Sequence, residues 1–360
     1  MTHSLFTPLH VGDLLLPNRI VMAPMTRTRA DAAHVPGELI ATHYAQRASA
    51  GLLIAEATLS APGTSAYKTE PGIYSAAQVA GWKRVTDAVH AAGGRIALQV
   101  FHPGRASHAA MNDGIPPVSS TDRAIRGAEG EAFDTPRRLS AGEMPRLVEQ
   151  FRHAFENAWL AGFDAVEIHG AHGYLLDQFL RDSVNDRGDA YGGPLDRRAR
   201  LLLEVVDQAI AAFGAGRVGV RISPLVSFND VADSDPRALV QYVADQLTRR
   251  SVAFLELRHN QHDAEEERAL ADIARRHFRG VLIRNGGFDR DSGDAAIADG
   301  SADAISYGKP FLANPDLAER FRRNAPLANF DFSQLYTPGP LGYIDQPAHE
   351  PAILDTPALA

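Results

Sequence analysis

The sequence predicts a (β/α)8 TIM barrel, and three observations lead there. Short apolar, β-branched runs recur along the chain, each followed by a connection and a helical pattern, which builds a parallel sheet with helices on its faces. There are eight such runs, the number that closes a barrel. The length, 360 residues, suits one α/β barrel carrying insertions.

Ahead of the barrel, Phe6 to Pro17 places Gly12-Asp13 between apolar segments, the pattern of a hairpin that caps the bottom. The strands are expected at Arg19 to Ala23, Leu52 to Thr58, Arg95 to His102, Ala165 to His169, Val218 to Ser223, Phe254 to Arg258, Val281 to Asn285 and Ala304 to Tyr307. Among the helices, Leu147, Phe151, Ala154, Phe155, Ala158 and Trp159 keep the spacing of three or four that gives one apolar face. The segments Arg197 to Phe213 and Pro236 to Arg249 read the same way. Two stretches break the rhythm. Pro103 to Ala141, rich in Gly, Pro, Ser and charge, follows the third strand and reads as a lid on the catalytic face. From Thr337 the prolines 338, 340, 347, 351 and 357 make the tail irregular, with mobile last residues. The expected organisation is one barrel domain over residues 1–345 and an irregular tail over 346–360.

Composition narrows the function. A formal charge of −8 argues against nucleic acid, whose phosphates would need a basic face, so small molecules are the expected partners. Zero cysteines exclude disulfides, thiolate metal sites and cysteine-ligated iron–sulfur clusters. No stretch approaches the roughly 18 to 20 apolar residues that span a bilayer, and Met1 to His10 has neither a basic cluster nor an apolar run, so the expected compartment is the cytoplasm.

Chemistry in such barrels sits at the carboxyl ends of the strands. The first strand ends Ala23-Pro24-Met25-Thr26-Arg27, the third carries Gln99 and ends Phe101-His102, and the fifth carries Arg221. The seventh runs into Asn285-Gly286-Gly287 and the eighth into Gly308-Lys309, adjacent turns where glycine lets backbone N–H groups approach a phosphate, helix starts add positive dipole and Lys309 adds charge. Plain turn chemistry is the competing explanation for each glycine. The fourth strand ends His169-Gly170-Ala171-His172-Gly173-Tyr174. Two imidazole N–H donors can hold an oxygen that gains charge while a phenol delivers a proton, although two loop histidines could equally satisfy backbone carbonyls. Zinc on His169 and His172 with His102 is set aside, because glycines follow both loop histidines and no carboxylate supports them. Glu167 reads as barrel-interior structure. Arg221 needs a partner for its charge inside the barrel, and an isoalloxazine ring, whose pyrimidine side gains negative charge on reduction, would serve; Gln99 can donate to and accept from the same edge.

With these residues in hand, the chain resembles the old yellow enzyme family of flavin-dependent ene-reductases from about Ser4 to Tyr343. The resemblance rests on Leu5-Phe6-Thr7-Pro8-Leu9, Pro17-Asn18-Arg19-Ile20-Val21-Met22-Ala23-Pro24-Met25-Thr26-Arg27 and His169 through Leu180, with Gly192-Gly193, Arg197-Arg198-Ala199-Arg200 and Asn314-Pro315-Asp316-Leu317. It implies flavin mononucleotide (FMN) as cofactor and NAD(P)H, with NADPH favoured, as reductant. Pro24, Met25, Thr26, Ala57, Gln99 and Arg221 would line the flavin ring; Asn285, Gly286, Gly287, Gly308 and Lys309 would belong to the cofactor site, the last four holding its phosphate. His169 and His172 match the pair that binds the substrate's electron-withdrawing group, Tyr174 matches the proton donor, and Tyr67, Phe101 and Tyr343 would complete the pocket.

The implied cycle passes hydride from NAD(P)H to flavin, then from flavin N5 to the β-carbon of an activated alkene, with Tyr174 protonating the α-carbon. Phe101 stands where many members carry tryptophan, which implies a wider pocket; Lys309 stands where arginine is common, which keeps the charge and loses the planar fork. Arg258 to Glu267 and Asp345-Gln346-Pro347 depart from the pattern. Thr26 places the chain with members that tune the flavin through a hydroxyl, and the absence of cysteine separates it from relatives that hold an iron–sulfur cluster. A nitroaromatic or nitrate-ester substrate at the same site, a flavin-free hydrolase or lyase using His169 and Tyr174, and a non-catalytic flavin store remain as alternatives. A monomer and a homodimer are both compatible with the sequence.

Overall fold

The computed structural model describes residues 4–127 and 133–348. The chain enters through an antiparallel hairpin of β1 (Leu9–Val11) and β2 (Leu14–Leu16), with Gly12 at φ +54 in its two-residue turn. The Asp13 N–H donates to the Gly216 carbonyl at 3.0 Å, just ahead of a barrel strand, so the hairpin closes the amino-terminal end of the barrel as expected.

The barrel strands are β3 (Ile20–Met22), β4 (Leu52–Leu59), β5 (Ile96–Phe101), then, after the short lid strands β6 (Val118–Ser119) and β7 (Arg137–Arg138), β8 (Ala165–Gly170), β9 (Val218–Ile222), β10 (Phe254–Arg258), β11 (Val281–Asn285) and β12 (Ala304–Tyr307). The eight close in chain order, every pair parallel. Each expected strand is present, the last three with the boundaries read from sequence. The barrel strands are buried throughout apart from Arg258, which is why they read as near-continuous apolar runs instead of alternating ones.

The lower barrel is apolar. Val21, Leu52, Ile54, Ala97, Ala165, Phe254 and Ile283 pack with Val11, Leu14 and Leu16 of the hairpin. Gly219 faces Phe254 across β9 and β10, and a Cβ there would lie 2.0 Å from the ring, so only glycine lets the ring fill the base. Between barrel and solvent, the helix Met144–Leu160 buries Leu147, Phe151, Ala154, Phe155 and Ala158. Trp159, expected on the same face, is 49% exposed and meets Phe213 edge-on at 5.3 Å; it sits at the edge of the stripe, where a large ring can be half-covered. The expected helix from Arg197 is split into Leu195–Arg198 and Arg200–Phe213, joined through Ala199.

The lid between Pro103 and Ala141 holds a 3-10 turn, Ala109–Met111, and the parallel pair β6 and β7; residues 128–132 lie outside the described residues. The tail is irregular through residue 348, and the expectation for its end falls on residues 349–360, which are not described. The described part is anchored: Arg27 donates to the carbonyls of Leu335 and Gly342, and Arg29 to those of Gln334, Leu335 and Leu341. Among the described residues no helix is long and apolar enough to cross a membrane.

Candidate active site

Above the apolar base, register turns the barrel interior polar. Gln99 on β5 is level with Glu167 on β8, Arg221 on β9 with Glu256 on β10, and Asn285 on β11 with Ser306 on β12. All six are buried. Gln99 Nε2 donates to Glu167 Oε1 at 2.8 Å, Ser306 Oγ to Glu256 Oε1 at 2.5 Å, Arg221 Nη2 to Asn285 Oδ1 at 3.3 Å and Asn285 Nδ2 to the Ser306 carbonyl at 2.8 Å. Arg221 therefore has a protein counter-charge: its Nε lies 3.4 Å from Glu256 Oε1. Sequence reading did not pick out Glu256, whose one signal was a carboxylate inside the apolar run Phe254–Leu257.

Over this floor opens a cavity of about 580 Å³. Its lining brings together Pro24, Met25, His172, Arg221, Asn285, Gly286, Gly287, Gly308 and Lys309, nine of the residues singled out from sequence, and adds Arg258 and Ser306. Gly286 and Gly287 sit at φ +125 and +77, and a Cβ on Gly286 would lie 2.2 Å from the His259 carbonyl, so this turn requires glycine. Helices follow both turns, as expected. The helix Arg290–Ala298 is capped by its own Asp289, which accepts from Ser292 N, and the one after Gly308 runs only from Lys309 to Ala313. Two cations stand beside these turns: Lys309, exposed, and Arg258, whose buried Nη1 has no hydrogen-bond partner.

These residues fit a flavin phosphate and ring: glycine turns with cations at one end, and at the other the guanidinium of Arg221, whose buried Nε lacks a hydrogen bond of good geometry. Gln99, having given one N–H to Glu167, keeps its second N–H and its oxygen.

The second half of the site stands on the end of β8. His172 adopts φ +57 and Gly173 φ +69, which turns the chain back toward the barrel mouth. The reversal is pinned by His172 N–H donating to Ser223 Oγ at 2.8 Å, Gly173 N–H to Asp177 Oδ2 at 2.9 Å and Asn229 Nδ2 to the His172 carbonyl at 2.9 Å. Asp177 in turn bonds Arg181 Nε at 2.8 Å, and Arg181 reaches the carbonyls of Ser223 and Pro224, tying β8 to β9. Both charges are buried. Replacing Asp177 with alanine would leave the guanidinium uncompensated, and we expect a loss of about 3–5 kcal/mol of unfolding free energy, read from urea unfolding.

The reversal groups three rings. His169 and His172 lie 5.4 Å apart and perpendicular, and His169 and Tyr174 are 5.1 Å apart. Burial first, then the Arg221 charge, holds both imidazoles well below the usual histidine range, so each is neutral at pH 7. His169 Nδ1 is buried without a hydrogen-bond partner, whereas a histidine serving a backbone carbonyl through that nitrogen would have one. Tyr174 Oη lies 2.7 Å from Tyr67 Oη, and burial, with Tyr67 next, raises its pKa, so the phenol keeps its proton. Phe101 meets Tyr174 edge-on at 5.3 Å and, with Ala57 and Leu59, forms the apolar wall behind it.

Tyr343 is not brought to this group. It is fully buried, stacked on His43 at 4.0 Å with Arg27 and Arg29 over its ring, where it locks the tail to the barrel. The tail residue that does approach is Tyr336, 52% exposed, with its ring 6.1 Å from Tyr67; it was missed because one tail carries both tyrosines and spacing does not say which one folds inward. His102, considered as a metal ligand, accepts from Gly104 N–H at 3.0 Å, and among the described residues no three metal-ligating side chains converge.

The model of the NADH:flavin oxidoreductase / NADH oxidase family matches residues 4–328. The chain is 46% identical over 357 residues to 12-oxophytodienoate reductase 1 of Oryza sativa subsp. japonica, covering 95% of this chain and 92% of that protein. It is 42% identical over 351 residues to a probable flavin mononucleotide-dependent alkene reductase of Leishmania infantum, covering 94% and 96%. Among solved structures, morphinone reductase in complex with tetrahydroNAD superposes with a TM-score of 0.93 at 43% identity, covering 97% of this chain and 98% of that one. The old yellow enzyme homologue of Zymomonas mobilis gives 0.93 at 40%, covering 96% and 100%. The chain belongs to the NADH:flavin oxidoreductase / NADH oxidase family, the old yellow enzymes, and is an FMN-dependent enzyme of NAD(P)H-driven alkene reduction.

Proposed function

We propose that the substrate is a small alkene conjugated to a carbonyl or nitro group, that His169 and His172 hold the oxygen of that group, and that Tyr174 protonates the α-carbon. The observation that carries this reading is the convergence of two neutral imidazoles and a protonated phenol on one strand end beside the cavity. Flavin, when bound, would supply the hydride chemistry at the β-carbon. As that bond forms, negative charge moves to the oxygen, and neutral N–H donors fixed by the His172 reversal stabilise it without reorganising. The Tyr174 O–H stands beside His169 and delivers its proton to the carbon that becomes nucleophilic; Tyr67 holds the phenol in place and bonds the oxygen left behind. Thr26, Ala57 and Gln99 are assigned to the flavin ring, and Lys309 with Gly286, Gly287 and Gly308 to its phosphate.

The reductant is proposed to be NADPH in preference to NADH. A second cavity, of about 800 Å³, lies against the loop that holds His172 and is lined by Arg123 and Arg126, which now bond the Ser183 and Val184 carbonyls and Asp230 and would turn from these partners to take an extra phosphate. Arg123→Ala with Arg126→Ala should raise KM for NADPH by roughly tenfold, about one charge-assisted contact, and leave KM for NADH unchanged; equal changes for both would remove the assignment. The cytoplasm is the proposed compartment.

The test is an anaerobic absorbance series on purified protein, before NADPH, after it, and after 2-cyclohexenone, maleimide or a nitroaromatic. Recovery of the bleached flavin band fastest with an enone or maleimide supports the reading; recovery with the nitroaromatic alone assigns the histidine pair to nitro compounds. A reduced flavin that none of the three reoxidises would reject it.

A further inference from the structure

The polar floor holds two carboxyl groups and one guanidinium inside the barrel, and their hydrogen bonds are unequal. Glu256 faces Arg221 Nε and the Ser306 hydroxyl, both on its Oε1. Glu167 receives only the Gln99 amide, on its Oε1. The second oxygens of both, Glu167 Oε2 and Glu256 Oε2, are buried with no donor. Two buried carboxylates cannot both leave an oxygen uncompensated next to each other, and a single proton between them satisfies both.

We propose that Glu167 and Glu256 share one proton, carried on Glu167, so that the floor is a neutral chain of carboxylic acid, carboxylate and guanidinium that sets how much of the Arg221 charge the flavin feels. The charged and titratable groups around the pair are Arg221 on β9, Arg258 at the end of β10 and His169 on β8, and the last is neutral. Burial, followed by the charge of the neighbouring Glu256, raises Glu167 well above its ordinary value. Were both ionised, Arg221 would be over-neutralised and would lose its pull on the reduced ring. With one proton present, Glu256 screens part of that charge and Glu167 turns the Gln99 amide so that its oxygen stays free. Both glutamates act through Arg221 and Gln99 and are positioning residues.

The inference rests on flavin lying over Arg221, and its first test works without flavin. Infrared difference spectra of wild type against Glu167→Gln, recorded at neutral pH on the flavin-free and flavin-loaded protein, should show a buried carboxylic-acid C=O band lost in the variant. Absence of that band in the wild type in both forms would overturn the proposal. The second test is the flavin midpoint potential. Glu256→Gln unscreens Arg221 and should raise the reduced-to-oxidised ratio at fixed potential by roughly tenfold, about 30 mV for a two-electron couple. Glu167→Gln exchanges one neutral group for another and should leave the potential where it was. An equal rise in both variants would mean that Glu167 is ionised and the proton is not there. If Glu256→Gln does not fold, the infrared band and the Glu167→Gln potential decide the matter.

Discussion

A Tyr174→Phe enzyme should be reoxidised by weakly activated enones about 10² to 10⁴ times more slowly than the wild type, the range a positioned general acid contributes, while its reduction by NAD(P)H stays nearly intact. The asymmetry follows from where the phenol stands. It rests on an apolar wall of Ala57, Leu59 and Phe101 and touches Tyr67, with no hydrogen bond to the polar floor under Arg221. In the proposed role, removing its O–H deletes a proton that is needed only when the alkene carbon becomes basic. Strongly activated nitroalkenes, whose charge stays on oxygen, should lose less. Stopped-flow measurement of each half-reaction separates these effects, and equal loss in both halves would remove Tyr174 from the donor role.

Alanine at both His169 and His172 should weaken binding of phenols and enones and slow alkene reduction by at least about 10²-fold to 10³-fold, the cost of one lost oxyanion donor. Asparagine at His172, which keeps an N–H, should recover part of the loss. Because burial and Arg221 hold both imidazoles below the ordinary histidine range, they gain no proton as pH falls from about 8 to about 6. The alkene-reducing rate should therefore show no ionisation near the free-histidine value. A rate that follows a pKa near 6.5 would mean that a charged imidazole is the donor, and unchanged ligand titrations in the alanine variant would take the pair out of the site.

Much of this was legible in the order of residues. The barrel strands are buried runs, so the recurrence of apolar runs located all eight, and the catalytic end could be read because strand ends expose their next residues to one rim. His169, His172 and Tyr174 share a single reversal, so closeness in sequence already implied closeness in space. Trp159 failed because a helical stripe has edges that spacing alone does not mark, and the long helix from Arg197 failed because a break at Ala199 needs no glycine or proline to announce it.

The sequence by itself determined the fold, the rim that carries the chemistry, and the residue types available there, because these depend on local periodicity and on runs of neighbours. Only the tertiary structure decided which partners those residues take. Register around a closed barrel set Glu256 against Arg221 and Glu167 against Gln99, pairings between strands 35 and 68 residues apart, as the differences 256 − 221 and 167 − 99 give. Packing of the tail sent Tyr343 into a stack on His43 and left Tyr336 beside Tyr67. Such choices follow from which groups burial leaves unsatisfied, and that is a property of the assembled interior instead of any segment of chain.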